Sequence, residues 1–138
     1  MNEARARELL GGARVARLAT VARDGRPRIV PITFVLAGEV VYHAVDDKPK
    51  ATRRLARLAD LAADPRASVL ADHYEEDWSA LWWVRADGRA RVLDDMGGAE
   101  AGRALELLAE RYAHYRERRP AGPVIALDVE RITGWAAR

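Results

Sequence analysis

The chain has 138 residues, 49% hydrophobic and 32% charged, the size and balance of one domain over 1–138 with a real core rather than a disordered tail. It contains no cysteine, which removes disulfide frameworks, thiolate metal sites and cysteine nucleophiles together. Lys and Arg number 23 against 21 Asp and Glu, a net charge of +2, and the arginines are dispersed among acids, so charge gives no support to a nucleic-acid partner.

No run of about 18 apolar residues could span a bilayer, and Met1 to Glu8 has no apolar signal core, so no membrane partner and a cytoplasmic location are expected. Asn2 caps a short helix over Glu3 to Leu10 that Gly11-Gly12 stops. The period then becomes that of strands. Arg14 to Ala22 alternates apolar and polar residues, Arg23 to Arg26 is a turn, and Arg28 to Leu36 is a second strand, giving a hairpin. Pro31 interrupts that second strand, as a missing N–H allows only at an edge or a bulge. Ala37-Gly38-Glu39 turns the chain into Val40 to Val45, so that three strands form a meander.

Asp46-Asp47-Lys48-Pro49-Lys50 follows, and leucines at 55, 58 and 61 mark one face of a crossover helix over Ala51 to Ala63, stopped by Asp64-Pro65. Ala67 to Ala71 is a short strand and Asp72 to Asp77 an acidic loop. Ala80 to Arg85 and Arg89 to Leu93 flank Asp87-Gly88, a hairpin signal. Leu105, Leu108, Tyr112 and Tyr115 recur at helical spacing through a predicted helix over Gly98 to Arg118. Val124 to Val129 is a closing strand, with a short tail at Ile132 to Trp135. The sum is a mainly β, α+β fold: six or seven antiparallel strands curled into a barrel with about three helices.

The segment richest in chemistry is the lysine loop. The first amides of a helix lack partners and its dipole is positive there, so Lys48, Lys50, Thr52 and Arg53 at the start of the second helix suit a phosphate. A solvated basic helix start is the plainer alternative. His43, His73 and His114 have no metal-ligand spacing, and neither Gly-x-Ser-x-Gly nor Gly-x-x-x-x-Gly-Lys occurs. His43 and His114 read as structural, while His73 beside the acidic loop is either a surface residue or a proton donor. Trp82 and Trp83 must point to opposite faces of their strand. Arg85 is either a ligand contact or a surface partner for Asp87.

The series Ala-Arg-Leu-Ala-Thr-Val (16–21), Asp-Gly-Arg-Pro-Arg-Ile-Val-Pro-Ile-Thr-Phe (24–34), the lysine loop, a helix and Asp-Pro-Arg-Ala-Ser-Val-Leu (64–70) resembles the pyridoxamine 5'-phosphate oxidase-like split β-barrel superfamily. Val-Asp-Asp-Lys-Pro-Lys (45–50) and the tryptophan-rich 72–92 stretch look like a mainly actinobacterial branch described as coenzyme F420-dependent enzymes. The resemblance covers nearly the whole chain. It implies an oxidoreductase, a homodimer with sites between subunits, and a deazaflavin (F420) or FMN as hydride carrier for a small-molecule acceptor. By resemblance, Lys48 and Lys50, followed by Thr52 and Arg53, match the positions at the cofactor phosphate. Val30, Pro31, Ile32 and Thr33 match the stretch against the ring. On this reading Trp78 or Trp82 of the second subunit would shape the pocket, and a purely core and dimer-interface role for Trp78, Trp82 and Trp83 is the alternative. A longer helix before Asp64-Pro65 and the absence of the Arg- and Pro-bearing tail after Trp135 set the chain apart from true pyridoxamine phosphate oxidases. Vitamin B6 phosphate is therefore not the expected substrate.

Overall fold

Alternating strands and amphipathic helices assemble around one seven-stranded antiparallel sheet of order β2-β1-β5-β6-β7-β4-β3. The computed structural model describes residues 1–45 and 51–138, with the backbone alone over 51–55. The elements in chain order are α1 (Glu3–Gly12), β1 (Ala16–Val21), β2 (Pro27–Ile32), β3 (Val35–Ala37), β4 (Val40–Ala44), α2 (Ala51–Ala63), β5 (Arg66–His73), a short 3₁₀ turn (Trp78–Ala80), β6 (Trp82–Leu93), α3 (Ala99–Arg111), α4 (Ala113–Glu117) and β7 (Val124–Ala136). Asn2 caps α1 by accepting the Arg5 N–H at 2.8 Å. The split barrel of seven strands with three longer helices is therefore the fold, as the strand pattern and the resemblance led us to expect.

Four boundaries differ from expectation, each for a physical reason. The second strand is not continuous over 28–36: Thr33 and Phe34 lie between β2, which pairs with β1, and β3, which pairs with β4. These strands lie at opposite edges of the sheet, so the expected meander is two hairpins joined across the barrel. Pro31 sits on edge strand β2, where its missing N–H costs no ladder bond to a further strand. Asp87-Gly88 does not turn the chain either. Strand β6 runs straight through it, opposite a bulge in β7 where Asp87 pairs with Arg131 and Gly88 with Val129, leaving Glu130 as the extra residue. A side chain on Gly88 would overlap the carbonyl of Asp128, so the glycine serves a close backbone approach.

The same bulge lets the expected closing strand and tail form one strand, β7. Finally, the helix expected over 98–118 breaks at Tyr112, which is extended at φ −119° and ψ 121°. The helical spacing of Tyr112 and Tyr115 survives because α4 restarts at once.

The inner face of the curled sheet holds Leu18, Ile32, Phe34, Val41, Val69, Val84, Ile125 and Leu127, and Leu10 of α1 and Leu61 of α2 pack into it. Helix α3 covers the other face of β4 and β7 with Ala104, Leu105 and Leu108 against Tyr42, Ala44, Val124 and Ala126. This is why β7 is buried on both faces from Val124 to Leu127. Arg91 ties the start of α3 to the sheet, bonding Glu100 at 2.9 Å and Asp128 at 2.6 Å, while the Tyr42 hydroxyl donates to Glu100 at 2.8 Å. These donors hold the Glu100 carboxyl down at about 2, and burial with the Glu100 contact pushes the Tyr42 phenol up to about 12.

Tyr112 closes the barrel. Its hydroxyl oxygen accepts the Phe34 N–H at 3.2 Å, and its O–H lies 2.9 Å from both the Phe34 and Arg14 carbonyls. Removing that hydroxyl leaves buried backbone groups without partners, so Tyr112→Phe should lower unfolding free energy by about 1–3 kcal/mol. Denaturant titration checks it, and an unchanged midpoint would contradict this role for the hydroxyl.

Candidate functional site

The link between β2 and β3 leaves Thr33 and Phe34 outside any strand ladder, and side chains from distant elements bond what the sheet does not. The ring of His43 on β4 lies with Nδ1 2.9 Å from the Thr33 carbonyl. The Thr33 hydroxyl lies 2.8 Å from the hydroxyl of Tyr115 on α4. On the far side of His43, Nη1 of Arg57 on α2 is 2.9 Å from Nε2. Pro31, Ile32, Thr33, His43, Ala44, Arg57 and Tyr115 line a cavity of about 260 Å³.

The partners of His43 determine its proton. A carbonyl only accepts and a guanidinium only donates, so Nδ1 must carry the hydrogen and Nε2 must be bare. The ring is thus neutral. Burial, with the neighbouring Arg57 charge, outweighs the pull of the Thr33 carbonyl and brings the imidazole down to about 4. A proton on Nε2 would face the guanidinium and break that contact.

Helix α2 is held over the sheet by Asp60, three residues beyond Arg57. Its buried carboxylate accepts from the Thr20 hydroxyl of β1 at 3.1 Å and from Arg28 Nε of β2 at 2.5 Å. A carboxylate so deeply buried requires such partners, and they fix the helix that brings Arg57 to the cavity.

Of the residues expected at a ligand, Pro31, Ile32 and Thr33 meet in this cavity. Val30 packs instead on the core, because alternation points it inward with Ile32. Lys48 and Lys50 lie outside the described residues, and Thr52 and Arg53 are placed only as backbone in the first turns of α2. Trp78 is 67% exposed, and Trp82 packs on the core and stacks on His73 with ring centres 6.4 Å apart. Neither tryptophan lines the cavity of its own chain. Trp83 lies on the opposite face from Trp82, where Arg85 bonds Asp87 at 3.1 Å, the pairing that the sequence offered for it. His73 is likewise held at the surface, 2.5 Å from Glu75.

His43 was legible as a strand residue but not as a wall of the site. Arg57 and Tyr115 carried no signal of their own, since Tyr115 meets Thr33 across 82 residues of chain. Among the described residues no group of three or more His, Asp and Glu gathers as a metal site.

The outward face of β2, β1, β5, β6 and β7 is apolar in places. Ile29 is 64% exposed, Trp135 48% and Leu70 37%. Strand register puts Leu70 beside Arg17 and Arg85, and Trp83 beside Trp135. Exposed apolar groups thus stand on one sheet face, interspersed with arginines.

Folding stability should record the neutral histidine. The folded state binds a proton on His43 only near pH 4, the unfolded chain near 6.5, so the contribution is full above about pH 6.5 and is lost as pH falls toward 4. Its size is on the order of 3 kcal/mol. Denaturant midpoints at pH 7 and pH 5 should fall apart for the native chain and converge for His43→Gln; an equal drop in both would exclude His43 as the source.

Residues 3–136 match the family model described as Pyridoxamine 5'-phosphate oxidase. No curated protein matches the chain. Among solved structures, the conserved hypothetical protein Rv2991 from Mycobacterium tuberculosis is similar with a TM-score of 0.78 at 20% identity, over 100% of this chain and 86% of that one. A FAD-binding protein from Mesorhizobium loti is similar with a TM-score of 0.72 at 24% identity, over 97% and 94%. The heme storage protein HutZ from Vibrio cholerae is similar with a TM-score of 0.73 at 18% identity, over 97% and 93%. With the family model spanning nearly its whole length, and with a barrel of the matching architecture, the chain belongs to the pyridoxamine 5'-phosphate oxidase family.

Proposed function

We propose that the protein is an F420-dependent oxidoreductase that acts as a homodimer and reduces a small electrophilic or unsaturated acceptor. The observation that carries this is the cavity at the β2–β3 link and its place in the chain. His43 and Ala44, the last residues of β4, and Arg57 of α2 line it. Lys48 and Lys50 fall in the short segment between those two elements, and Lys50 directly precedes Ala51, the first residue of α2. A phosphate held by the lysines and the helix start would leave the ring edge within reach of Pro31 to Thr33.

When bound, the deazaflavin supplies the hydride, and the protein supplies position and exclusion of water. Lys48 and Lys50 would bind the phosphate, with Thr52 and Arg53 behind them, and the backbone of Ile32 and Thr33 would lie against the ring. A cavity of about 260 Å³ is too small to enclose such a cofactor. A second subunit, docked through the face that carries Ile29, Leu70 and Trp135, would complete the wall with the exposed Trp78. FMN in the same place is the second reading, favoured by the family and by the FAD-binding neighbour. A carrier without turnover, as the heme storage neighbour suggests, is the third.

Side-by-side fluorescence titration with F420 and FMN separates these readings. F420 should bind the more tightly and, in its reduced form, pass a hydride to an enone or quinone acceptor; preference for FMN selects the second reading, and F420 binding without turnover of the reduced form across an acceptor panel selects the third. Lys50→Ala should weaken binding by roughly 10- to 150-fold, the loss of a charge-assisted contact worth about 1.5–3 kcal/mol, and unchanged affinity would sink the phosphate assignment.

The dimer has its own test. Leu70→Asp, which puts a charge into the proposed interface, should halve the mass by analytical ultracentrifugation and weaken cofactor binding with it. A monomeric wild type, or a variant that stays dimeric with full affinity, would count against the shared site.

A further inference from the structure

The hydroxyls of Thr33 and Tyr115 share one hydrogen bond of 2.8 Å. Each carries one hydrogen, and one hydrogen suffices for the bond between them. Whichever group donates, the other keeps a hydrogen. Neither hydroxyl has a second partner among the described residues, and both side chains line the cavity.

This spare donor is held in place. The Tyr115 ring is 9% exposed and meets Tyr112 edge-on, with centres 5.7 Å apart. The Thr33 backbone is held by His43, whose Nδ1–H occupies its carbonyl. A donor whose rotamer is already fixed loses little entropy on meeting a ligand. A donor on a cavity wall with no acceptor among the described residues has its hydrogen available to water or to a ligand oxygen that displaces it.

We infer that the Thr33–Tyr115 hydroxyl pair is a hydrogen-bond donor site for a carbonyl oxygen of the molecule bound in the cavity. The inference rests on the reading of this cavity as the cofactor site. Two molecules there could bring a carbonyl: the cofactor, at the edge of its ring, or the acceptor, in which case conjugated carbonyl compounds are the substrate class selected. In the second case the donor polarises the acceptor toward the hydride of the reduced deazaflavin, because negative charge grows on that oxygen as the hydride adds to the conjugated carbon, and a proton from solvent then completes the reduction.

The test uses the full-length protein, F420 and FMN as binding probes, and reduced F420 as hydride donor with 2-cyclohexen-1-one as the acceptor probe for turnover. Thr33→Val, Tyr115→Phe and the double variant are compared, with melting temperature as the check on folding and Thr33→Ser as the conservative control. The double variant should lose five- to tenfold, since either single variant leaves one hydroxyl whose hydrogen is no longer shared. A weaker cofactor Kd together with a shifted absorption band of the bound ring assigns the bond to the ring carbonyl. An unchanged cofactor Kd with a raised KM for the enone, restored by Thr33→Ser where Thr33 is the donor, assigns it to the acceptor. If the double variant does not fold, the loss must be present in at least one single variant. Folded variants with native Kd and native KM overturn the inference and leave the cofactor reading standing. Wild-type protein that binds neither cofactor overturns that reading, and the inference with it.

Discussion

Two residues, Thr33 and Phe34, carry the chain from one edge of the sheet to the other, and the architecture follows from that short span. Three Cα steps reach at most about 11 Å, whereas six gaps between flat, paired strands place the edges about 29 Å apart. A flat sheet is therefore excluded, and the sheet must curl until β2 and β3 come close. The bulge at Glu130 and the side-chain-free Gly88 opposite it supply local bend and twist in the two longest strands. Curling also makes the inner face a closed core, with Phe34 fully buried at the joint.

Closure has an electrostatic consequence. A residue that passes between strands cannot use the ladder for its N–H and C=O, and these groups are costly when buried and unpaired. The molecule satisfies them with side chains: Tyr112 for Phe34, His43 for Thr33. Those side chains come from α3–α4 and β4, so the joint gathers polar groups from parts of the chain far apart in sequence. Arg111 adds to this clasp by donating to the carbonyls of Gly11 and Ala13, which ties the end of α3 to the end of α1. The result is a small cavity beside a hydrogen-bonded wall.

How far the sequence foretold this depends on the range of each interaction. Alternation in 16–21 and 67–71, the leucine spacing of α2 and the Asn2 cap are local signals, and each produced the element it indicated. The breaks at Thr33–Phe34 and at Tyr112 have no local cause. Arg28 to Leu36 has a β-forming composition throughout, and only the identity of the partner strands divides it. Asp87-Gly88 misled for the same reason: the glycine answers to the carbonyl of Asp128, a contact between strands that no dipeptide rule contains. In the site, Pro31, Ile32 and Thr33 were within reach of a motif comparison because they are contiguous. Arg57 and Tyr115 were not, since their place depends on helix packing, on Asp60 in one case and on Tyr112 in the other.

Solved structures of this shape include one described as FAD-binding and one described as a heme storage protein, and the closure constraint gives a physical reason why one frame suits different ligands. Backbone closure requires that the joint be polar and clasped, but it does not specify which side chains face the cavity once the backbone is satisfied. In this chain His43 spends both ring nitrogens on structure and stays neutral, which leaves it poorly suited to transfer a proton near neutral pH. Among the described residues, the hydroxyls of Thr33 and Tyr115 and the backbone of the β2–β3 link are wall groups that can orient and polarise a ligand. Such a wall suits a reaction whose bond-making is carried by a bound cofactor. Selectivity then rests on which oxygen or phosphate of the ligand meets which of these fixed groups.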